Sequence, residues 1–319
     1  MTIALILSAS VMHAQLLPKV SIHNRTDKAG GVVITNANGE MVGYTDRGSA
    51  ETAMDSKVFR EIVRCIEASD DIVSTGRARA RAVRAPRMAR TAPTPRNKSV
   101  GPLLRNLWSQ YEAPYDWMSP KIDGNPCEAG CVALAMAQVM HYWQWPEHGY
   151  GSYSYTDVEG CGQTLTVDFE KHYYDWDNML GNYEGVQYTD AQGFAVAQLL
   201  YDCGVSVDMI YGVDASGARV VKQPIAMVRN FGYDSSCQLH FRDFYSLDEW
   251  TQMFYDELDA GRPILMSGLS QHYNHAFVCD GYDERGFFHF SFGNVNGAAD
   301  GFFYLPYLTP DIPPGMRPE

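Results

Sequence analysis

The stretch from Arg77 to Lys98 constrains this chain most. It holds seven Arg, one Lys and no acidic residue, set among Ala, Pro and Thr, with almost no large apolar side chains. Such a segment cannot bury enough surface to offset the entropy of ordering it, so residues 76–99 are expected to form an exposed linker. The linker divides the 319 residues into a small unit, 15–75, and a larger one, 100–319. Exposed basic linkers are favoured proteolysis sites. An inert spacer or a tether to an anionic surface would have the same composition. The position between a small unit and a large one favours a cleavable junction.

In the small unit, Gly31 to Thr35 reads as a strand, Asn36 to Gly39 as a turn, and Met41 to Tyr44 as a returning strand. Ser56 to Ala68 has helical spacing, with Phe59, Ile62, Val63 and Ile66 on one face. The unit is too small to be very stable alone. Ahead of it, the apolar run Ile3 to Leu7, with Ala14 before Gln15, resembles the end of a secretory signal peptide over residues 1–14, the alternative being a buried first strand. No segment reaches the ~20 apolar residues that span a membrane.

The large unit reads as one α+β domain. Cys131 to Gln144 is a strong buried helix, broken from the preceding chain by Pro126 and Gly130 and stopped by Pro146. Ala191 to Asp202 and Ser246 to Ala260 are further helices. Four strands follow, at Pro263 to Gly268, His275 to Tyr282, Phe287 to Phe292 and Gly301 to Leu305, with a hairpin turn at Asp283 to Gly286, as an antiparallel meander. The net charge of −13 argues against a general nucleic-acid binder.

Seven cysteines cannot all pair with one another, so at least one thiol is left for packing or for chemistry. Cys131 has the setting a nucleophile needs. It begins a helix, where unpaired N–H groups and the helix dipole favour thiolate. Its own N–H can face a developing oxyanion, and Asn125 on the entering loop offers a second donor. Among nine histidines, His275 stands apart, opening an apolar strand after the polar loop Ser270 to Asn274, at the rim of a cleft. Cys127 and Cys131 have a spacing zinc allows, but His141 and His148 lie along and beyond the helix, so no metal or other cofactor is expected. Oxidation of Cys127 and Cys131 to a local disulfide is a separate possibility that would silence the thiol.

The run Gly124-Asn125-Pro126-Cys127-Glu128-Ala129-Gly130-Cys131 through Met140 resembles the nucleophile helix of the streptopain family of bacterial cysteine peptidases. Asn274-His275-Ala276-Phe277-Val278-Cys279-Asp280-Gly281-Tyr282 resembles its His strand. Gly101 to Leu104 with Trp108 and Gln110, Val205 to Gly212, Asn230 to Tyr233 and Asp300 to Phe303 match in the same order. The strand pair around Val32 to Tyr44 resembles the family propeptide. The resemblance implies a papain-like fold and a secreted endopeptidase made as a zymogen, with no metal. Its partners would be protein or peptide substrates and its own propeptide as inhibitor. It implies Cys131 as nucleophile and His275 as base, with Asn125 at the oxyanion position, one methylene shorter than the usual Gln. Ser291 stands where the imidazole-orienting Asn is expected, with Asn294 as a substitute, and Phe292 stands at the aromatic shield. By analogy Ser216 and Asn274 line the substrate cleft. Family members usually continue past the point where this sequence stops into a final strand, and a missing strand would leave a sheet edge unpaired. Asn125 and Ser291 leave a second reading open, a catalytically impaired relative that binds peptides or proteins through the same cleft.

Overall fold

A computed structural model describes residues 20–26, 30–36, 38–67, 94–269 and 274–308. The expected signal segment and most of the Arg-rich linker lie outside these residues. The N-terminal unit is a three-stranded antiparallel ribbon, β1 (Val20–Asn24), β2 (Val32–Asn36) and β3 (Met41–Thr45), followed by two helices. The first helix, α1 (Ala50–Asp55), starts at a reciprocal cap, in which the Ser49 hydroxyl accepts from Thr52 N–H and the Thr52 side chain accepts from Ser49 N–H. The second, α2, covers residues 57–67 and buries Val58, Phe59, Ile62 and Ile66. The hairpin and α2 fall where hydrophobic alternation and helical spacing put them.

The large unit opens with a short ribbon, β4 (Lys121–Ile122) and β5 (Asn125–Pro126), ahead of α3 (Cys131–Trp143). Every α3 residue from Val132 to Met140 is buried, so α3 runs through the core rather than over it. A second ribbon, β6 (Ser152–Thr156) and β7 (Thr164–Asp168), precedes α4 (Asp190–Ser206) and α5 (Gln223–Phe231). Then come α6 (Leu247–Asp259), four strands β8 (Ile264–Leu269), β9 (Asn274–Tyr282), β10 (Phe288–Ser291) and β11 (Gly301–Phe303), and the short α7 (Leu305–Leu308). Capping boxes begin α4 at Thr189 and Gln192 and α6 at Ser246 and Glu249, each satisfying N–H groups that have no intrahelical partner.

The C-terminal strands form the expected antiparallel meander, but the sheet does not end there. Its order is β1-β2-β3-β11-β10-β9-β8, so the N-terminal ribbon continues the sheet of the large unit. The junction is antiparallel, with Gly301 opposite Thr45, Phe302 opposite Tyr44 and Phe303 opposite Gly43. The edge of β11 is thereby covered by β3, which satisfies the backbone groups an open edge would expose.

Two apolar cores flank the large unit's half of the sheet. One surrounds α3 and joins it to α4, α5 and the ribbon β6–β7. The other contains Val32, Ile34, Phe59, Ile62 and Ile66 of the N-terminal unit together with Trp250, Phe277, Tyr282, Phe288, Phe292 and Phe303. Full burial of one such aromatic or branched side chain contributes roughly 1.5–3 kcal/mol. A unit too small to hold a core of its own therefore shares that of its neighbour.

Candidate active site

Gly130 caps α3 with a φ of 87° and brings no side chain to the cap. A Cβ there would lie 2.8 Å from the Met209 thioether and 3.2 Å from Ser216 Cβ, so only glycine fits. The bare cap leaves the first-turn N–H groups free to face a ligand or the thiol itself. Cys131 follows, partly exposed where the nine residues after it are buried. Burial raises its thiol above the ordinary value. Hydrogen bonding from the N–H groups of Ala276, Cys131 and Val132 acts the other way, and the Glu128 charge adds to the rise. The hydrogen bond from Ala276 N–H sets the sulfur at the start of β9, one residue past His275.

His275 is buried, and Phe292 C=O lies 2.7 Å from its Nε2. A carbonyl only accepts, so Nε2 carries the proton and Nδ1 is left as the basic nitrogen. Burial holds the imidazole well below its usual range, at about 4, against the bond to Phe292. Thiol and imidazole are thus both pushed toward their neutral forms in this state.

The remaining candidates fall in different places. Ser216 is buried beside Gly130, its hydroxyl 3.0 Å from Gly212 N–H. Asn274 is exposed at the start of β9, opposite Leu269. Asn125 is exposed in β5, in register with Ile122. Ser291 is buried in a network behind the histidine, accepting from Gln138 Nε2 at 3.1 Å and donating to Asp300 Oδ2 at 3.2 Å. The Nδ2 of Asn294 is buried with no hydrogen-bond partner among the described residues. Phe292 turns its ring into the core, against Phe277 at 5.0 Å and Phe303 at 5.9 Å, while its backbone carbonyl reaches His275.

Gln110 is the residue that reading along the chain passed over as a candidate. It is buried, and its backbone carbonyl accepts from Ala129 N–H at 3.1 Å, two residues before Cys131. Its Nε2 donates to Tyr111 Oη at 2.8 Å and its Oε1 has no hydrogen-bond partner among the described residues. Burial raises the Tyr111 phenol, its hydrogen bond with Gln110 lowers it, and the Glu128 and Cys131 charges raise it. The signal for Gln110 was present in the Trp108-x-Gln110 match, 21 residues from Cys131 rather than six.

The N-terminal unit acts by charge on the loop ahead of Cys131. Burial pushes the Glu128 carboxyl up to about 7, with Lys57 at the start of α2 pulling it down and Asp214 pushing it up. All seven cysteines are free thiols, and among the described residues no cluster of His, Cys, Asp and Glu could hold a metal ion. His141 of α3 lies with Nδ1 3.2 Å from Asn106 Nδ2 and packs against Trp108 with the rings tilted at 55°.

A cysteine at the head of a buried helix, set against a histidine that opens a sheet strand, is the arrangement of papain-like cysteine peptidases. Residues 108–303 match the Peptidase C10 family, and the chain belongs to that family. It is 33% identical over 212 residues to streptopain of Streptococcus pyogenes, covering 62% of this chain and 53% of streptopain. It is 30% identical over 302 residues to the thiol protease/hemagglutinin PrtT of Porphyromonas gingivalis, covering 91% of this chain and 34% of PrtT. The chain thus spans about half the length of streptopain and a third of PrtT. Among solved structures, a fragment of Prevotella intermedia prointerpain A superposes with a TM-score of 0.73 at 26% identity, over 92% of this chain and 94% of that one. Active interpain A superposes with a TM-score of 0.60 at 33% identity, over 65% of this chain and 86% of that one. No described helix is long and apolar enough to cross a membrane.

Proposed function

We propose that this chain is the precursor of a secreted cysteine endopeptidase, with Cys131 as nucleophile and His275 as general base. The observation that carries the reading is the meeting of α3 and β9, where the Cys131 sulfur lies against Ala276 N–H and His275 is anchored through Nε2. The base at Nδ1 takes the thiol proton. The thiolate attacks the substrate carbonyl, and the proton passes to the leaving amine. The N–H of Cys131 and the side-chain amide of Gln110, rather than that of Asn125, hold the oxyanion. Ser216 and Asn274 border the peptide cleft.

Zymogen character rests on the strand pairing of β3 with β11, on the Lys57 charge that acts on Glu128, and on likeness to prointerpain A over nearly the whole chain. Processing falls in the Arg-rich segment ahead of Arg96. From that residue on the chain is held on the large unit. Arg96 lies over the Tyr255 ring at 3.7 Å, Lys98 pairs with Asp259 at 2.9 Å, and Val100 exchanges two backbone hydrogen bonds with Tyr282. Secretion rests on the apolar run at residues 3–7. A silent peptide-binding relative is the second reading, and what favours it is the burial that pushes both Cys131 and His275 toward their neutral forms.

The test is self-processing of the purified full chain under reductant, beside Cys131→Ser. Cleavage in the wild type alone, with Cys131 then labelled by an epoxide thiol-protease inhibitor, supports the peptidase. Neither cleavage nor labelling, even after trypsin has cut the Arg-rich segment, leaves the silent module.

A further inference from the structure

We propose that Asp300 is a positioning residue for His275, acting through the backbone of Phe292. The inference rests on the reading of Cys131 and His275 as a catalytic pair. The last ladder partner in β10 is Ser291, opposite Val278, so the sheet does not hold the backbone of Phe292. Asp300 does so instead, its Oδ1 accepting from Phe292 N–H at 2.7 Å. The Phe292 carbonyl, on the other side of the same Cα, accepts from His275 Nε2 at 2.7 Å. The other carboxylate oxygen is occupied by the Ser291 hydroxyl at 3.2 Å, itself held by Gln138 of α3 at 3.1 Å. The chain of contacts therefore runs from the nucleophile helix through Ser291 and Asp300 to the one carbonyl that sets the imidazole's tautomer.

A side-chain amide can rotate to follow a histidine, whereas a backbone carbonyl cannot, so its peptide must be fixed in advance. Asp300 supplies that fixation from a buried site. Charge-assisted bonds such as Phe292 N–H to carboxylate are about twice as strong as neutral ones. Ser291, placed by sequence at the imidazole, acts one layer further out.

The groups facing Asp300 are Phe292 N–H, Ser291, His289 of β10, Asp280 of β9 and Asp46 after β3. Burial first, then Asp280 and Asp46, push its carboxyl up to about 6, with the Phe292 N–H and His289 pulling it down. Asp300 is thus ionised at neutral pH and discharged under mild acid.

The experiment uses the full chain labelled with ¹⁵N-histidine and ¹⁵N-phenylalanine, as wild type, Asp300→Ala, Asp300→Asn and His275→Ala. Cys131 alkylation by iodoacetamide is followed against pH by peptide mapping, and the His275 Nε2 proton by NMR. Asp300→Ala is expected to slow Cys131 alkylation near neutral pH by roughly 10²-fold, the scale of a general base, and to displace the Nε2 proton signal. Asp300→Asn keeps an acceptor for Phe292 N–H and is expected to restore both. A folded Asp300→Ala chain with the wild-type profile and signal overturns the assignment while slow alkylation in His275→Ala leaves the catalytic pair standing. Wild-type alkylation in His275→Ala overturns both. Should Asp300→Ala not fold, the wild type decides. The Phe292 amide and His275 Nε2 protons are expected to shift together with a midpoint near 6, and independent movement overturns the proposal.

Discussion

Asp46 and His289 face each other at 2.9 Å across β11, the one from the N-terminal unit and the other from the large unit. His289 is buried, and Asp280 takes its other ring nitrogen at 2.5 Å. Burial pulls the imidazole down, but Asp280 and Asp46 more than offset this and hold it at about 10. The backbone N–H of Asp46 also donates to the Asp300 carbonyl at 3.0 Å, so the same residue grips two neighbours of the histidine network.

A folded-state value above the unfolded one, ~6.5 for histidine, gives stability that is fully present below about 6.5. That stability is lost as pH rises from there toward about 10. The urea midpoint of the unprocessed Cys131→Ser chain should therefore fall across this alkaline window. Asp46→Asn should flatten the fall and lower stability near neutral pH by on the order of 2 kcal/mol, the worth of a hydrogen bond to a charged group. A midpoint constant from pH 6 to 10 in the unsubstituted chain would show that the pair carries no such linkage.

The features that were legible in the sequence are those written in local periodicity. The apolar face of Phe59, Ile62 and Ile66, the unbroken run from Val132 to Met140, and the meander of the last third all rest on neighbour spacing and burial. The pairing of β3 with β11 was not legible, because Thr45 and Gly301 are 256 residues apart and neither carries a pairing signal. The ribbon β6–β7 was missed because only Leu165 and Val167 of its apolar side chains are buried, while its outer face is Ser and Thr. At the site, chain context singled out Cys131, and the family resemblance was needed to point to His275. The contact to the imidazole was not legible, because a backbone carbonyl leaves no trace in side-chain identity. Ser291 occupies the expected position, but its hydroxyl is spent on Gln138 and Asp300.

Gln110 and Asn125 compete for the oxyanion role, and their surroundings set the expectation. Gln110 is buried on the backbone that holds Ala129, whereas Asn125 is exposed on a two-residue strand. Gln110→Ala should lower kcat by roughly 10²–10³-fold with little change in KM, as loss of an oxyanion donor does elsewhere. Asn125→Ala should alter kcat by less than about threefold. Steady-state kinetics on a peptide substrate after processing checks both, and the reverse ranking would return the role to Asn125.

Gly130→Ala places a Cβ 2.8 Å from Met209 and forces a φ of 87° on a residue that resists it. The strain costs roughly 1–3 kcal/mol, and it falls on the residue that aims Cys131. Epoxide labelling of Cys131 should therefore slow well beyond what the change in thermal midpoint accounts for. Equal labelling rates in folded Gly130→Ala and wild-type chains would show that the cap does not set the thiol's position.

Gly301→Ala tests whether the strand junction holds the N-terminal unit in place. A Cβ at Gly301 would sit 2.3 Å from the Tyr44 carbonyl oxygen and 2.6 Å from Thr45 Cα, both backbone atoms that cannot swing aside. The clash falls at the β3–β11 pairing, so β3 must retreat while β10 and β9 stay in register. Overpacking of this kind costs roughly 1–3 kcal/mol, enough to loosen a unit that shares its core with its neighbour. Brief trypsin treatment of the Cys131→Ser background should then cut at Lys57, Arg60 or Arg64 in the variant, sites whose backbone is held in helix α2 while the unit is docked. Protection equal to that of the parent chain would mean that the apolar core around Phe59 and Phe303, not the strand pairing, fastens the unit.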